Sequence, residues 1–375
     1  MTPPNWLRIL SVVILCVLGV RSLSFWFSGR LAAGTSGLVD FTGIVAGAYL
    51  VGTPGLYEVG ANLDIQRRLV GSEDPARVFP RWPYWAAALS PLARLPYSKA
   101  ARLWRAALVA AFALFVVAFP LAPWWVSALA ICWSIPAFDA LGQGQDSPFL
   151  LIYLTMSILL HRANRPFAAG VALALCVAKY HFFVLTPLLI LVQRRWSFLM
   201  GGLAGGGGLI AASFLVQGWS WPAEHLRNIS RPEIDSLPAI MPNIRGVLDG
   251  YPMALPLEIA AAIAVAIWVG WLLKKANFEQ GLMLVLIGGM LVSHHAYVHD
   301  SILLIPAFLT LGASLPECRL AAAIMLSPIS TFLLSILPTP PKTGNVLFVL
   351  LLLGFLGWVS SEIGAAGGRK EQIRA

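Results

Sequence analysis

Several side chains that can carry a charge lie inside or beside long apolar stretches of this sequence. Asp40 stands in Gly37-Leu38-Val39-Asp40-Phe41-Thr42, and Lys179 stands in the apolar region 166–193. Asp40 could cap a helix that begins at Phe41, a frequent role for aspartate, or it could take part in catalysis. Lys179 could extend its ammonium group toward an interface, or it could contact a ligand such as a phosphate.

Three histidines and an aspartate form a second group of candidate residues. His294 and His295 are adjacent, so they point to different sides of a helix, and His299 and Asp300 follow. The i, i+4 spacing of His295 and His299 leaves a zinc site open, although the His-Glu-x-x-His pattern of zinc proteases is absent. Hydrogen bonding to a sugar or a phosphate, or a structural role in the core, are the alternatives.

Amide and guanidinium groups complete the set. Gln143 and Gln145 flank a glycine, and their amides suit sugar hydroxyls, although they could equally cap the ends of two helices. Asn243 and Arg245 follow a Met-Pro pair. Arg245 could bind a phosphate through its guanidinium group.

The composition indicates what must position these residues. The 375 residues are 58% hydrophobic and 11% charged, with a mean hydropathy of +0.77, whereas soluble domains carry roughly 25% charged residues. Lipid must therefore cover much of the chain. The net charge of +9 is better explained by orientation in a membrane and by anionic lipid or phosphate ligands than by nucleic acid.

The pattern of apolar runs predicts an all-α polytopic membrane protein of about twelve transmembrane helices, in a bundle that forms one integral membrane domain over residues 1–375. Residues 29–100 are predicted to form a long first extracytoplasmic loop with interfacial helices, and residues 218–253 a second large one. Gly201–Gly208 indicates close helix packing. The helices are expected near residues 7–28, 101–120, 123–140, 147–161, 166–178, 181–193, 197–217, 254–273, 280–294, 300–315, 319–337 and 344–361.

The distribution of Lys and Arg predicts the orientation, because these residues are enriched in cytosolic loops. The long segment 29–100 is left out, since the rule does not constrain loops of that length. A cytosolic N-terminus places more of the remaining basic residues inside than in the short outer loops, and both termini are then cytosolic in a plasma membrane. Those inside are Arg8, Arg162, Arg165, Arg194, Arg195, Lys274, Lys275, Arg319, Arg369, Lys370 and Arg374, and those outside are Lys179, Arg227, Arg231, Arg245 and Lys342.

Three predicted hairpins, 123–161, 166–193 and 280–315, have legs too short to cross a hydrocarbon core of about 30 Å. Their apices, the residues where each hairpin turns back, are polar. Such backbone is tolerated at membrane depth only inside protein or along a cavity. The sequence therefore predicts a cavity that opens to the outer side. The apices are Gly142–Asp146, Lys179–His181 and His294–Asp300.

A series of short motifs in a fixed order adds to this interpretation. They run over most of residues 1–310. In sequence order they are Asp40-Phe41, Gly52-Thr53-Pro54-Gly55-Leu56-Tyr57, Phe79-Pro80-Arg81-Trp82-Pro83, Leu92-Ala93-Arg94-Leu95-Pro96, Trp104, Gly142-Gln143, Lys179, Arg194-Arg195-Trp196 and Ser293-His294-His295.

In these motifs the chain resembles glycosyltransferase family 87, a group of GT-C membrane enzymes that includes polyprenol-phosphate-mannose-dependent mannosyltransferases. The resemblance implies a lipid-linked sugar donor and makes Asp40 the catalytic base. We expect the donor phosphate and sugar to be bound by Lys179, His181, Arg245, His294 and His295, and the sugar or acceptor by Gln143, Gln145, Tyr57 and Asn243.

The expected activity is inverting transfer of a sugar, with mannose favoured, from a polyprenyl-phosphate carrier to a lipid or glycan acceptor at the extracytoplasmic face. We expect neither a cofactor nor an obligatory metal ion, because a phosphate monoester can leave without one. The expected partners are the donor, the acceptor and membrane lipids, but not nucleic acid. A secondary transporter or lipid flippase is the alternative, since it too would place broken helices and polar residues near the membrane midplane.

Overall fold

The computed structural model describes residues 39–71, 77–231, 238–330 and 343–374, together with six single positions between residues 13 and 24. All regular elements in these ranges are helices, and the predicted helix at 7–28 lies almost entirely outside them. The α-helices are α1 (Val39–Leu50), α2 (Val59–Val70), α3 (Pro83–Leu89), α4 (Tyr97–Ala118), α5 (Trp124–Cys132), α6 (Ile135–Gln143), α7 (Ser147–Arg162), α8 (Pro166–Ala174), α9 (Thr186–Gln193), α10 (Trp196–Gln217), α11 (Trp221–Ile229), α12 (Ile244–Leu248), α13 (Ala254–Leu273), α14 (Phe278–Val292), α15 (Ile305–Ser314), α16 (Arg319–Leu326) and α17 (Thr343–Arg374).

The expected number of about twelve membrane crossings is not confirmed. Among the described residues, five helices are long and apolar enough to span a membrane, and a sixth span results if α5 and α6, which are bent by 66°, are counted together. Three further apolar stretches of the described ranges form shorter helices, at Ser147–Arg162, Phe278–Val292 and Val298–Ser314. Prolines and polar residues interrupt those runs, so the number of apolar runs exceeds the number of full-length spans. The five spans are Tyr97–Ala118, Pro166–Phe183, Trp196–Gln217, Ala254–Leu273 and Gly344–Gly364.

The predicted long outer loop is not confirmed either, because its described part folds into helices with a core of their own. In α1, residues 41–48 are all buried. Two glycines of this helix admit the following segment: a Cβ on Gly43 would lie 2.1 Å from the Arg77 carbonyl oxygen, and one on Gly47 would lie 2.2 Å from the Phe79 ring. This close approach holds the segment from Arg77 to Phe79 against the helix that carries Asp40.

A larger core lies around α14, in which residues 281–291 are all buried. Gly289 faces the backbone of the middle hairpin, since a Cβ there would lie 1.9 Å from the Phe182 carbonyl oxygen. Close packing also joins α8 to α10, where a Cβ on Gly201 would lie 1.9 Å from the Phe167 carbonyl oxygen. The expected role of the glycine cluster in helix packing is therefore confirmed for Gly201, whereas Gly207 has nothing within 4 Å.

Candidate active site

Asp40 lies in the first turn of α1, where its carboxylate meets two polar side chains from distant parts of the chain. Gln145 Nε2 donates a hydrogen bond of 2.6 Å to Asp40 Oδ2, and Arg77 Nε lies 3.7 Å from Asp40 Oδ1. The Asp40 side chain is 27% exposed. The structure therefore holds this carboxylate on one side and leaves part of it open to a substrate.

Gln145 is held by the turn between α6 and α7. Gly144 caps the C-terminus of helix α6 and adopts a left-handed conformation with φ of 75° that suits glycine. The indole of Trp104 donates a hydrogen bond of 2.8 Å to the Gly144 carbonyl. The side chain of Gln145 then bridges two charged groups, since its Oε1 accepts a hydrogen bond of 3.1 Å from Lys179 Nζ.

Lys179 lies where the middle hairpin breaks its helix. Its backbone angles, φ of −133° and ψ of 54°, are not helical, and its side chain is only 3% exposed. The ammonium group forms an ion pair with Asp300, donates a 2.7 Å hydrogen bond to Ser147 Oγ and lies 3.8 Å from Asp146. Hydrogen bonds and ion pairs thus join the three predicted apices.

A second buried ion pair adjoins the first. Arg81 binds Asp146 in a bidentate manner, with 2.8 Å from Nε to Oδ2 and 2.9 Å from Nη2 to Oδ1. Burial by itself lowers the pKa of the Arg81 guanidinium, but the charge of Asp146 and its hydrogen bonds hold that pKa above its usual value. Tyr57 holds the backbone of this arginine, since the Tyr57 hydroxyl donates a 2.8 Å hydrogen bond to the Arg81 carbonyl. Burial raises the pKa of Tyr57 above its ordinary value, so the hydroxyl keeps its proton.

The charges of this cluster balance one another. Lys179 and Arg81 face Asp300 and Asp146, and all four side chains are largely buried. Buried ions are tolerated when they are paired and hydrogen-bonded, as these are. Asp40 is the more exposed carboxylate at the edge of this cluster, which makes it the one able to meet a substrate.

The other expected donor-binding residues lie around the third apex, together with Asn243, which was expected to bind the sugar or the acceptor. Asn243 Nδ2 donates a 2.6 Å hydrogen bond to the Ser293 carbonyl, and Arg245 Nη1 donates one of 2.9 Å to the His294 carbonyl. The imidazole of His294 is exposed and lies 3.3 Å from Glu258. The His181 and His295 rings lie 6.1 Å apart.

Tyr297 links this group to the buried cluster. Its ring lies 4.8 Å from the ring of His295, and its backbone N–H donates a 3.1 Å hydrogen bond to Asp300. His299 lies 3.6 Å from Asp300 and 3.5 Å from Asp139. Within the described ranges, no three His, Cys, Asp or Glu side chains are grouped so as to hold a metal ion.

One face of α11 carries buried side-chain atoms that have no hydrogen-bond partner, although the Asn228 Nδ2 atom donates a 2.9 Å hydrogen bond to the Phe79 carbonyl. Trp221, Glu224, His225 and Asn228 follow one another at i, i+3, i+4 and i+7, and each has a buried side-chain nitrogen or oxygen without a partner. The His225 ring lies 5.4 Å from that of Tyr57. Burial lowers the pKa of His225 to about 4, so its imidazole is neutral. Unpartnered buried groups of this kind cost free energy unless water or a ligand supplies hydrogen bonds.

The structure thus brings Asp40, Gln145 and Lys179 into one network, while Gln143 ends α6 and has an intermediate exposure. The sequence predicted no site role for Arg77, Arg81 or Asp146, and it made Asp300 a candidate only as part of a possible zinc site. Two of these are signalled by the sequence: Asp146 and Asp300 lie at apices flanked by apolar runs, and a buried acid requires a cationic partner. A cavity of about 250 Å³ lies near Arg162 and Glu279, at the opposite end of α7 from Ser147, and the expected outward cavity stays a prediction.

Comparison with known families places this network in context. A family model described as Glycosyltransferase family 87 matches residues 83–298, more than half of the chain. The match includes Gln145 and Lys179, while Asp40 precedes it. Comparison with curated proteins and with solved structures gave no match. The resemblance expected from the sequence motifs is confirmed, and this helical membrane protein is a glycosyltransferase that belongs to glycosyltransferase family 87.

Proposed function

We propose that the protein transfers a sugar, with mannose favoured, from a polyprenyl-phosphate carrier to a lipid or glycan acceptor at the extracytoplasmic face of the plasma membrane. Asp40 takes the proton of the acceptor hydroxyl as that oxygen bonds to the anomeric carbon. The bond between that carbon and the phosphate oxygen breaks, and the polyprenyl phosphate leaves with the electron pair. The attack occurs opposite the leaving group, so the configuration inverts.

The environment of Asp40 is the observation that supports this role. One of its carboxylate oxygens is held by Gln145, and the side chain is 27% exposed, whereas the neighbouring Asp146 side chain is fully buried. A general base must be held within hydrogen-bond reach of the proton that it removes. Asp40 combines a fixed orientation with access.

Arg245, together with the imidazoles near it, is our candidate for binding the departing phosphate. Arg245 and His295 are both partly exposed, and the Arg245 guanidinium contacts the backbone of the loop that carries the histidines. Cations in a site of low dielectric stabilise charge that develops on a leaving group. Lys179 is less suited to this task, because two carboxylates already surround its ammonium group.

The inner face of α11 is our candidate for contacting acceptor hydroxyls. His225 and Asn228 are buried and carry unpartnered polar atoms, and aromatic rings of Trp82 and Tyr57 lie beside this helix. Sugars present both hydroxyl groups and apolar C–H faces. The combination of unpartnered polar atoms and aromatic rings suits such a ligand.

The length of α7 supports a site that dips into the membrane. This helix runs from Ser147, beside Lys179, to Arg162. Its 16 residues span roughly 24 Å at 1.5 Å per residue, against a hydrocarbon core of about 30 Å. With Arg162 at the cytosolic surface, Ser147 and Lys179 lie below the outer surface of the hydrocarbon core. A donor held in the bilayer could reach this level directly.

The test is a transfer assay with purified protein in detergent, radiolabelled polyprenyl-phosphate sugars and a membrane lipid extract. Asp40→Asn keeps the shape of the side chain but removes its basicity, so we expect transfer to fall by about 10²- to 10⁴-fold. Asp64→Asn is the matched control, because Asp64 is an exposed aspartate of α2 paired with Arg67, and it should leave transfer unchanged.

Two results would contradict the proposal. Absence of transfer from every polyprenyl-phosphate sugar would exclude the donor class. Unchanged transfer by Asp40→Asn would exclude Asp40 as the base. The anomeric configuration of the product, read by NMR spectroscopy, tests inversion separately.

A further inference from the structure

We infer that Lys179 and Asp300 act as positioning residues: their buried ion pair orients the amide of Gln145, and that amide orients the carboxylate of Asp40. This inference rests on the proposed role of Asp40 as the base. The three apices of the short hairpins, which carry Gln145, Lys179 and Asp300, would thereby together orient the carboxylate of Asp40 in α1.

The chemistry of the two contacts fixes which way the Gln145 amide points. An ammonium group can only donate hydrogen bonds and an ionised carboxylate can only accept them. Lys179 donates to Oε1 of Gln145 and Gln145 Nε2 donates to Asp40. A reversed amide would place its NH₂ group against the ammonium and its oxygen against the carboxylate, so both contacts would be repulsive. The charge of Lys179 thus determines that a donor faces Asp40.

Asp300 in turn fixes Lys179. One oxygen of Asp300 takes the ammonium group and accepts a 3.1 Å hydrogen bond from Ser147 Oγ. The other oxygen accepts a 3.1 Å hydrogen bond from the Tyr297 backbone N–H. Ser147 also accepts a hydrogen bond from Lys179. These contacts leave the ammonium little freedom to move away from Gln145.

A direct role for Lys179 in phosphate binding fits these contacts less well. Its side chain is 3% exposed, and carboxylates of Asp300 and Asp146 lie around the ammonium group. A phosphate entering here would meet two negative charges and would have to displace Asp300. The ammonium therefore acts on the reaction through Gln145.

The first experiment replaces both members of the pair at once. Lys179→Met alone would leave Asp300 without its cation and could impair folding, so Lys179→Met is combined with Asp300→Leu, which removes both charges. We expect this double variant to remain folded, with kcat lowered about 100-fold and KM for the donor nearly unchanged, since loss of positioning alone can cost that factor. The single variant Lys179→Arg keeps a hydrogen-bond donor toward Gln145 and leaves Asp300 in place. It should therefore retain part of the kcat that the double variant loses.

The second experiment changes only the group that faces Asp40. Gln145→Glu has nearly the same shape, and it would still accept a hydrogen bond from Lys179, but it would set a carboxylate against Asp40. We expect the acidic limb of the kcat profile to move to higher pH. Carbodiimide labelling of Asp40, followed by mass spectrometry, should persist to higher pH as well. Gln217→Glu is the control, since the Gln217 amide also bridges two partners, Gly52 and Thr53, away from Asp40.

The outcomes separate this inference from the proposed function. Wild-type kcat in the double variant, or labelling of Asp40 with an unchanged pH dependence in Gln145→Glu, would overturn the inference even if Asp40→Asn is inactive. A raised donor KM with unchanged kcat in the double variant would also overturn it, because it would make Lys179 a donor ligand. The labelling experiment needs no transfer, so a shifted profile supports the inference even if every donor fails.

Discussion

Loss of the bidentate ion pair between Arg81 and Asp146 should measurably lower the stability of the fold. Arg81→Met leaves the fully buried carboxylate of Asp146 with one cation, Lys179, at 3.8 Å, which is beyond hydrogen-bond distance. Removing one partner of a buried ion pair costs about 3–5 kcal/mol. Because Lys179 still compensates part of the charge, we expect a value near the lower limit, about 3 kcal/mol.

Two further variants separate charge from packing. Arg81→Met combined with Asp146→Leu removes both charges, and replacing a buried pair by apolar side chains is often neutral. We expect its stability to lie within about 1 kcal/mol of the wild type. Arg67→Met breaks the pair with Asp64, in which the side chains are 58% and 67% exposed, and it should cost less than about 1 kcal/mol.

The assay uses the cysteines of the chain. Cys176 and Cys318 are buried, whereas Cys16 and Cys132 are exposed. A thiol-reactive dye added to protein in detergent, with Cys16 and Cys132 replaced by serine, therefore reports unfolding. At about 2 °C per kcal/mol for a large chain, Arg81→Met should lower the midpoint by about 6 °C. A decrease no greater than that of Arg67→Met, or a double variant as unstable as the single one, would refute the reasoning.

Two other predictions concern the fold and its pH dependence. With a pKa of about 4, folded His225 stays neutral in a range where the unfolded chain binds a proton, so stability falls as pH drops from about 6.5 to 4. His225→Phe should remove about 3 kcal/mol of that loss, and unfolding midpoints of the variant and the wild type near pH 7 and pH 4 will test this. Gly201→Ala would place a Cβ 1.9 Å from the Phe167 carbonyl oxygen and should lower the stability by about 1–3 kcal/mol in the same dye assay. Gly207→Ala, which has nothing within 4 Å of its Cβ, should be neutral or slightly stabilising. Equal effects of the two variants would contradict the close packing of α8 and α10.

Helix positions in the long apolar segments could be predicted from the sequence. The expected helix at 254–273 matches α13, and that at 197–217 begins one residue after α10. Their apolar runs are long, and the central turns contain neither proline nor charged residues. Pro256 and Glu258 lie in the first turns of α13, where a helix tolerates them. The shorter hairpins were harder, because an apolar run of 13 to 15 residues shows that a helix is buried without showing whether it crosses the membrane.

The helix α1 illustrates a different limit. Its 12 residues lie in a segment that is rich in Gly and Pro, for which the sequence predicted an extracytoplasmic loop with interfacial helices. A helix beginning at Phe41 was one of two interpretations of Asp40. Its glycines allow Arg77 and Phe79 to approach closely, so tertiary packing, rather than local propensity, stabilises it. The role of Arg77 beside Asp40 depends on that packing and could not be predicted from the residues alone.

The sequence by itself determined where charge and polarity interrupt the apolar runs, because burial of apolar surface depends on composition and local periodicity. It therefore indicated Asp40, Gln145 and Lys179 as candidate site residues, because each is a polar or charged side chain inside or beside an apolar run. The tertiary structure alone decided the partners. Lys179 meets Asp300 across 121 residues, and Arg81 meets Asp146 across 65. Pairing of buried charges depends on distances of a few ångströms in a medium of low dielectric, and only the packing of the hairpins sets those distances.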